Sequence, residues 1–150
     1  MGVALKQIDV PQCDGGAPCP LVVADESTLV FGYYDAEGRG CVIVKVPSCS
    51  IFRFGAPNDE ALGGHRYAKI GLGYCSAYEV LNSEWIRELM VANRIHPNHK
   101  DSLFDSKRHF IFTFHDSTLE FVTWHEFSVT RVGGELKRQV LLTFDQEAAS

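Results

Sequence analysis

The stretch RHFIFTFHDSTLEFV, residues 108–122, constrains the fold more than any other part of the chain. Phe110, Phe112 and Phe114 alternate with other residues, His115-Asp116-Ser117-Thr118 interrupts, and alternation resumes with Leu119 and Phe121. Side chains on a strand point to opposite faces in turn. Two such runs around a short polar break predict a β-hairpin with one aromatic face. With Asp116-Ser117 as a two-residue loop, or His-Asp-Ser-Thr as a four-residue one, Phe114 opposes Leu119, Phe112 opposes Phe121 and Phe110 opposes Thr123. The other face then gathers Thr113, His115 and Glu120 near the turn, with His115 and Glu120 diagonal neighbours about 7–8 Å apart at the backbone. A carboxylate beside an imidazole raises its pKa and fixes its tautomer, which suits acid–base work. The same residues are also ordinary turn chemistry, because Asp and Ser side chains bond nearby amides.

Around this hairpin the sequence predicts further strands at 21–25, 28–35, 41–46, 49–55 and 77–82 from their β-branched and aromatic content. After residue 107 it predicts three β segments, 108–115, 118–132 and 136–144. One helix stands out, SEWIRELMVANRI at 83–95. Asn82 or Ser83 can cap it, Ile86, Leu89, Met90 and Asn93 form a stripe at helical spacing, and Pro97 prevents continuation. Residues 1–20 read as an irregular leader. The sum is a single α+β domain over residues 1–150, mostly β: an antiparallel sheet curled into a sandwich or partial barrel around the helix.

Charge and hydropathy exclude several classes of function. The formal net charge is -5 and no Lys/Arg cluster offsets it, which argues against nucleic acid as a partner. No window approaches the roughly 18 apolar residues of a membrane span, and the first residues lack the pattern of a signal peptide. The expected location is cytoplasmic. Five cysteines occur without a C-x-x-C pair; Cys13 and Cys19, in PQCDGGAPCP, would pair only if oxidised. A short antiparallel sheet leaves edges to cover, so a homodimer is expected.

Residues 55–76 carry Gly55, Pro57, Gly63, Gly64, Gly71 and Gly73, the composition of a long loop. Long loops inside compact domains are commonly functional. Here Glu60 is a candidate general base or metal ligand with His65 as its partner, and His115 and Glu120 are the matching pair on the hairpin. Asn58 and Asp59 can cap a turn; together with Tyr67, Thr113 and Asp116 they are candidate ligand contacts. His96 and His99, in HPNH, can converge on a divalent metal, although a helical zinc pair would want i, i+4 spacing. GLGYCS at 71–76 lacks the spacing of a phosphate loop, and no G-x-S-x-G elbow is present.

FGAPNDEALGGH, YEVLNSEWIRELMVANRIHPNH and RHFIFTFHDSTLEFV together resemble a family of small uncharacterised bacterial proteins. That family carries an Asn-Asp-Glu-Ala…Gly-His loop, an Asn-Ser-x-Trp-Ile helix start, a His-Pro-x-His turn and a Phe-His-Asp-Ser-Thr hairpin. The resemblance covers residues 50–122 and implies no established activity, cofactor or catalytic residue. The family's hairpin often continues Phe-Glu-Cys where this chain has Leu119-Glu120-Phe121, so a thiol role there does not transfer. The expectation is a domain binding a small molecule or partner protein in a pocket between the 56–76 loop and the 108–122 hairpin. The alternative is a small enzyme or metal-dependent, hydrolase-like protein using the histidines and carboxylates.

Overall fold

The computed structural model describes residues 2–16 and 19–146. Its strands form two antiparallel sheets, numbered here in chain order. The five-stranded sheet runs β1 (Ala4–Ile8), β6 (Ala77–Leu81), β7 (Arg108–Thr113), β8 (Thr118–Thr123), β5 (Cys49–Gly55). The four-stranded sheet runs β2 (Leu21–Ala24), β3 (Leu29–Tyr34), β4 (Cys41–Val46), β9 (Ser128–Val132). The α+β, β-rich expectation holds: the sheets stack as an open sandwich and do not close into a barrel.

The alternating patterns explain the stacking. Leu29, Phe31 and Tyr33 of β3 and Val42, Val44 and Val46 of β4 face Phe110, Phe112, Leu119 and Phe121 of the hairpin, all buried. Phe31 meets Phe112 edge-on with ring centroids 5.0 Å apart, an arrangement the ring quadrupoles favour. β4 is largely apolar on both faces because both are covered: Cys41 and Ile43 point outward beneath a second helix, α2 (Leu136–Asp145), whose end Lys45 reaches with its ammonium. Gly32 is where that helix rests. A Cβ there would lie 2.7 Å from Val140 Cγ2 and 2.8 Å from Ile43 Cδ1.

Several expectations are corrected. The leader over 1–20 is not irregular throughout, since Ala4–Ile8 is the edge strand β1, paired with β6. The segment 118–132 is two strands in different sheets, with Trp124–Phe127 crossing between them. The segment 136–144 is helical: Leu136, Val140 and Phe144 recur every fourth residue and pack on β3 and β4, so the helical period outweighs the β-rich composition. The first helix, α1 (Glu84–Asn93), is capped by Ser83, whose Oγ accepts the Ile86 amide at 3.2 Å. Its buried residue is Trp85, whereas Ile86, Leu89, Met90 and Asn93 are only half-buried.

The 55–76 segment is ordered. It forms two 3-10 turns, Asp59–Gly64 and Ala68–Ile70, which lie over the outer face of the five-stranded sheet through Leu62, Tyr67 and Leu72. Among the described residues no helix is long and apolar enough to cross a membrane.

Candidate functional site

The hairpin register decides what the outer face presents. Thr113 pairs with Thr118, Ile111 with Glu120 and Phe110 with Phe121, so Phe114–Ser117 form the loop and Phe114 N–H donates to the Ser117 carbonyl at 2.9 Å. The pairing is offset by two residues from the expected one. An offset of two keeps every side chain on its face but changes its neighbours. Glu120 therefore has His109, not His115, as its diagonal partner.

On the far side of β8, Arg53 of β5 pairs directly with Glu120. The result is a row across three strands. Arg53 Nε donates to Glu120 Oε2 at 2.8 Å, its Nη2 reaches Oε1 at 3.4 Å, and His109 Nε2 lies 2.9 Å from Oε1. Glu120 is only 4% exposed and His109 is fully buried.

Chemistry assigns the protons in this row. An ionised carboxylate only accepts, so His109 Nε2 carries a hydrogen and Nδ1 is bare. The Ser83 hydroxyl then donates to Nδ1 at 2.7 Å while its oxygen accepts the Ile86 amide. Burial pushes the His109 pKa down, and the Glu120 bond offsets this only in part, so the ring is neutral. Burial pushes Glu120 up, but hydrogen bonds from His109 and Arg53, the nearby His65 and the Arg53 charge outweigh it and hold the carboxyl well below its usual range. Trp85 walls the row: its ring meets His109 edge-on at 5.1 Å, and the Arg53 guanidinium sits 4.1 Å over it.

His65 enters from the loop. Its Nδ1 accepts the Tyr67 amide at 3.1 Å, which places the hydrogen of the neutral ring on Nε2, 3.8 Å from Glu120 Oε2. A cleft of about 520 Å³ opens above the row. Arg53, His65, Arg66, Thr118 and Glu120 supply its polar lining; Phe54, Ala56, Pro57 and Ala61 supply its apolar wall. Arg66 is exposed and forms no ion pair among the described residues.

The other candidate residues fall into separate places. Asp59 and His115 clasp the loop to the hairpin tip: the Asp59 amide donates to the His115 carbonyl at 2.9 Å, and Asp59 Oδ2 lies 3.5 Å from His115 Nε2. Asp116 Oδ1 takes the other ring nitrogen at 2.9 Å, and these carboxylates, Asp116 first, raise the His115 pKa. Asn58 caps the first 3-10 turn through its Oδ1, which accepts the Ala61 amide at 3.1 Å. Glu60 is exposed in that turn and forms no hydrogen bond to His65. Thr113 Oγ1 donates to the Gly73 carbonyl at 2.7 Å and so anchors the loop outside the cleft. Tyr67 is buried beneath the loop, its hydroxyl without a hydrogen-bond partner among the described residues.

His96 and His99 serve local structure. His96 Nδ1 accepts the Asn98 amide at 3.1 Å; His99 is held by Asn93 at 2.8 Å and Asp101 at 2.6 Å. Among the described residues no three His, Cys, Asp or Glu side chains are grouped to hold a metal. Sequence reasoning missed Arg53, Arg66, Ser83, Trp85 and His109. The Ser83–Trp85 helix start and His109 were visible as polar or aromatic residues at element ends, but their convergence depends on strand pairing.

Comparison with protein-family models, with curated proteins and with solved structures returned no match for this chain.

Proposed function

We propose that the cleft between the 53–66 segment and Thr118–Glu120 binds a small molecule carrying an anionic group beside an apolar body. One observation carries this reading: Arg66, which pairs with no carboxylate among the described residues, stands with Arg53 and His65 at a cleft where, among the described residues, Glu120 is the one carboxylate and is already engaged. Arg53 commits Nε and Nη2 to Glu120, leaving Nη1 for a ligand. A guanidinium offers carboxylates and phosphates several donors in one plane, and the volume suits a small ligand. Glu120 is a poor general base here, because it stays ionised and both its oxygens are hydrogen-bonded. Its role is to fix Arg53.

Benzoate, benzamide and inorganic phosphate make a direct test by thermal unfolding. Benzoate raises Tm in a dose-dependent way, benzamide does not, and Arg66→Ala weakens the benzoate effect about tenfold, equivalent to about 1.4 kcal/mol. Equal shifts from benzoate and benzamide, or an effect untouched by Arg66→Ala, would overturn the reading.

A second reading, an acyl-transfer enzyme, has one observation in its favour. Ser83, His109 and Glu120 are bonded in the order hydroxyl, imidazole, carboxylate, and Ser83 borders a separate cleft of about 350 Å³ beside Glu79, Arg87 and Arg108. The helix-cap bond on Ser83 and the Arg53 pair on Glu120 count against it. A fluorophosphonate probe separates the two: labelling lost in Ser83→Ala supports the enzyme, and an unlabelled chain excludes a reactive serine.

A further inference from the structure

A further cleft, of about 340 Å³, opens where the residues after β1 meet the β3–β4 turn and β9. Hydrogen bonds hold the first of these segments in place. The Tyr33 hydroxyl donates to the Pro11 carbonyl at 2.6 Å, the Ala36 amide to the Gln12 carbonyl at 2.9 Å, and the Asp14 amide to the Tyr34 carbonyl at 2.9 Å. The turn closes through the Asp35 amide, which donates to the Gly40 carbonyl at 3.0 Å. Gly40 lets β9 come close, since a Cβ there would lie 2.5 Å from the Val132 carbonyl oxygen. This cleft shares no lining residue with the one beside Arg53 and Glu120.

Asp35 lines the cleft although it is only 3% exposed. Its Oδ1 accepts the Glu37 amide at 3.2 Å, which fixes the carboxylate plane against the turn. Its Oδ2 accepts no hydrogen bond among the described residues. Two guanidinium nitrogens stand near, Arg131 Nε at 3.3 Å and Arg39 Nε at 3.7 Å, but neither is aligned to donate. Arg39 is paired with Glu37. The Arg131 side chain also lines the cleft and forms no hydrogen bond among the described residues. A buried carboxylate oxygen left open is costly, and here it sits beside a guanidinium whose donors are unused.

We propose that this cleft binds a small free α-amino acid, whose ammonium donates to Asp35 Oδ2 while its carboxylate accepts from Arg131. An acceptor-only oxygen and a donor-only guanidinium, side by side, complement a zwitterion whose two charged groups are joined through one carbon. Asp9, Asp35 and Glu37 line the cleft with Arg131, so a lone anion meets more carboxylate than guanidinium. A lone cation leaves the Arg131 donors unanswered. Among the described residues these carboxylates do not converge as a metal-binding group. The volume lies at the small end for ligand sites, which suits an amino acid with a short side chain.

The test is a titration of the isotope-labelled full chain, read by amide chemical shifts, with L-alanine, L-alaninamide and N-acetyl-L-alanine in turn. Millimolar L-alanine shifts the amides of Val10, Gln12, Ala36, Glu37 and Arg131. Alaninamide, which lacks the carboxylate, and N-acetylalanine, which lacks the ammonium, each bind at least tenfold more weakly. Asp35→Asn and Arg131→Gln each weaken L-alanine at least tenfold. The Arg131 side chain is 43% exposed, so Arg131→Gln keeps the fold and separates lost binding from unfolding. Alaninamide or N-acetylalanine binding as tightly as L-alanine would overturn the proposal. So would L-alanine affinity unchanged in Arg131→Gln, or no shift in the cleft at millimolar L-alanine.

Discussion

Each sheet of the sandwich has an outer face to cover, and the two are covered in opposite ways. The four-stranded sheet takes α2, so Val30, Cys41 and Ile43 meet Leu136 and Val140, while Lys45 at the edge of this face donates to the Thr143 and Gln146 carbonyls at the helix end. The five-stranded sheet takes an irregular segment. Toward β1 and β6 that cover is apolar, through Leu62, Tyr67 and Leu72 over Tyr78, Val80 and Ile111. Toward β5 it gives way to Arg53, Glu120, His109 and His65, with an open cleft above. Burying a carboxylate is costly even when it is well partnered, and an apolar replacement of similar shape is often the more stable choice. The chain uses that apolar solution on one sheet and not on the other. The difference marks where the fold gives up stability to hold polar groups in a fixed arrangement.

Removing the carboxylate gives the largest expected effect. Glu120→Ala leaves His109 Nε2 and Arg53 without their acceptor and costs about 3 kcal/mol, the low end for a broken buried pair because the Arg53 side chain is 39% exposed. Urea unfolding followed by tryptophan fluorescence measures it, and a loss under 1 kcal/mol would mean the row is not what holds this face. Gly32→Ala probes the other face. Its new methyl collides with Val140, Ile43 and Leu136, costing about 1–3 kcal/mol, and it leaves benzoate affinity unchanged because the cleft lies on the opposite sheet.

Acid separates the faces further. The folded His109 pKa lies below its ordinary 6.5. Below pH 6.5 the unfolded chain binds a proton that folded His109 refuses, so stability falls with pH through this range. Glu120, held below its ordinary 4.5, adds a second loss that begins near pH 4.5 and continues downward. His109→Gln, which keeps a donor and an acceptor, removes the first loss; equal slopes for the variant and the parent chain between pH 6.5 and 5 would contradict the assignment. The smallest effect belongs to His115. Its raised pKa contributes stability below pH 6.5 that disappears as pH rises through the folded value, but the group is exposed, so His115→Asn leaves the unfolding midpoint at pH 7 unchanged.

How much of this was legible in the sequence depends on distance along the chain. Alternation at Phe110, Phe112, Leu119 and Phe121 assigned the hairpin faces correctly, since a period of two survives a register offset of two. It could not choose between His109 and His115 as the neighbour of Glu120; the turn conformation at Phe114–Ser117 makes that choice. Asn58, Asp59, His65 and Glu120 were identified as residue types, but Arg53 meets Glu120 only through the pairing of β5 with β8, 67 residues apart. The α2 helix was hidden by its Val, Leu, Thr and Phe content, although its fourfold spacing was present.

Amide chemical shifts during a benzoate titration test the contrast between the two faces most directly. The account predicts concentration-dependent shifts confined to residues 53–57, 61–66 and 118–120, with α2 and the face beneath it silent. Shifts centred on α2, or none in the cleft at millimolar benzoate, would contradict it.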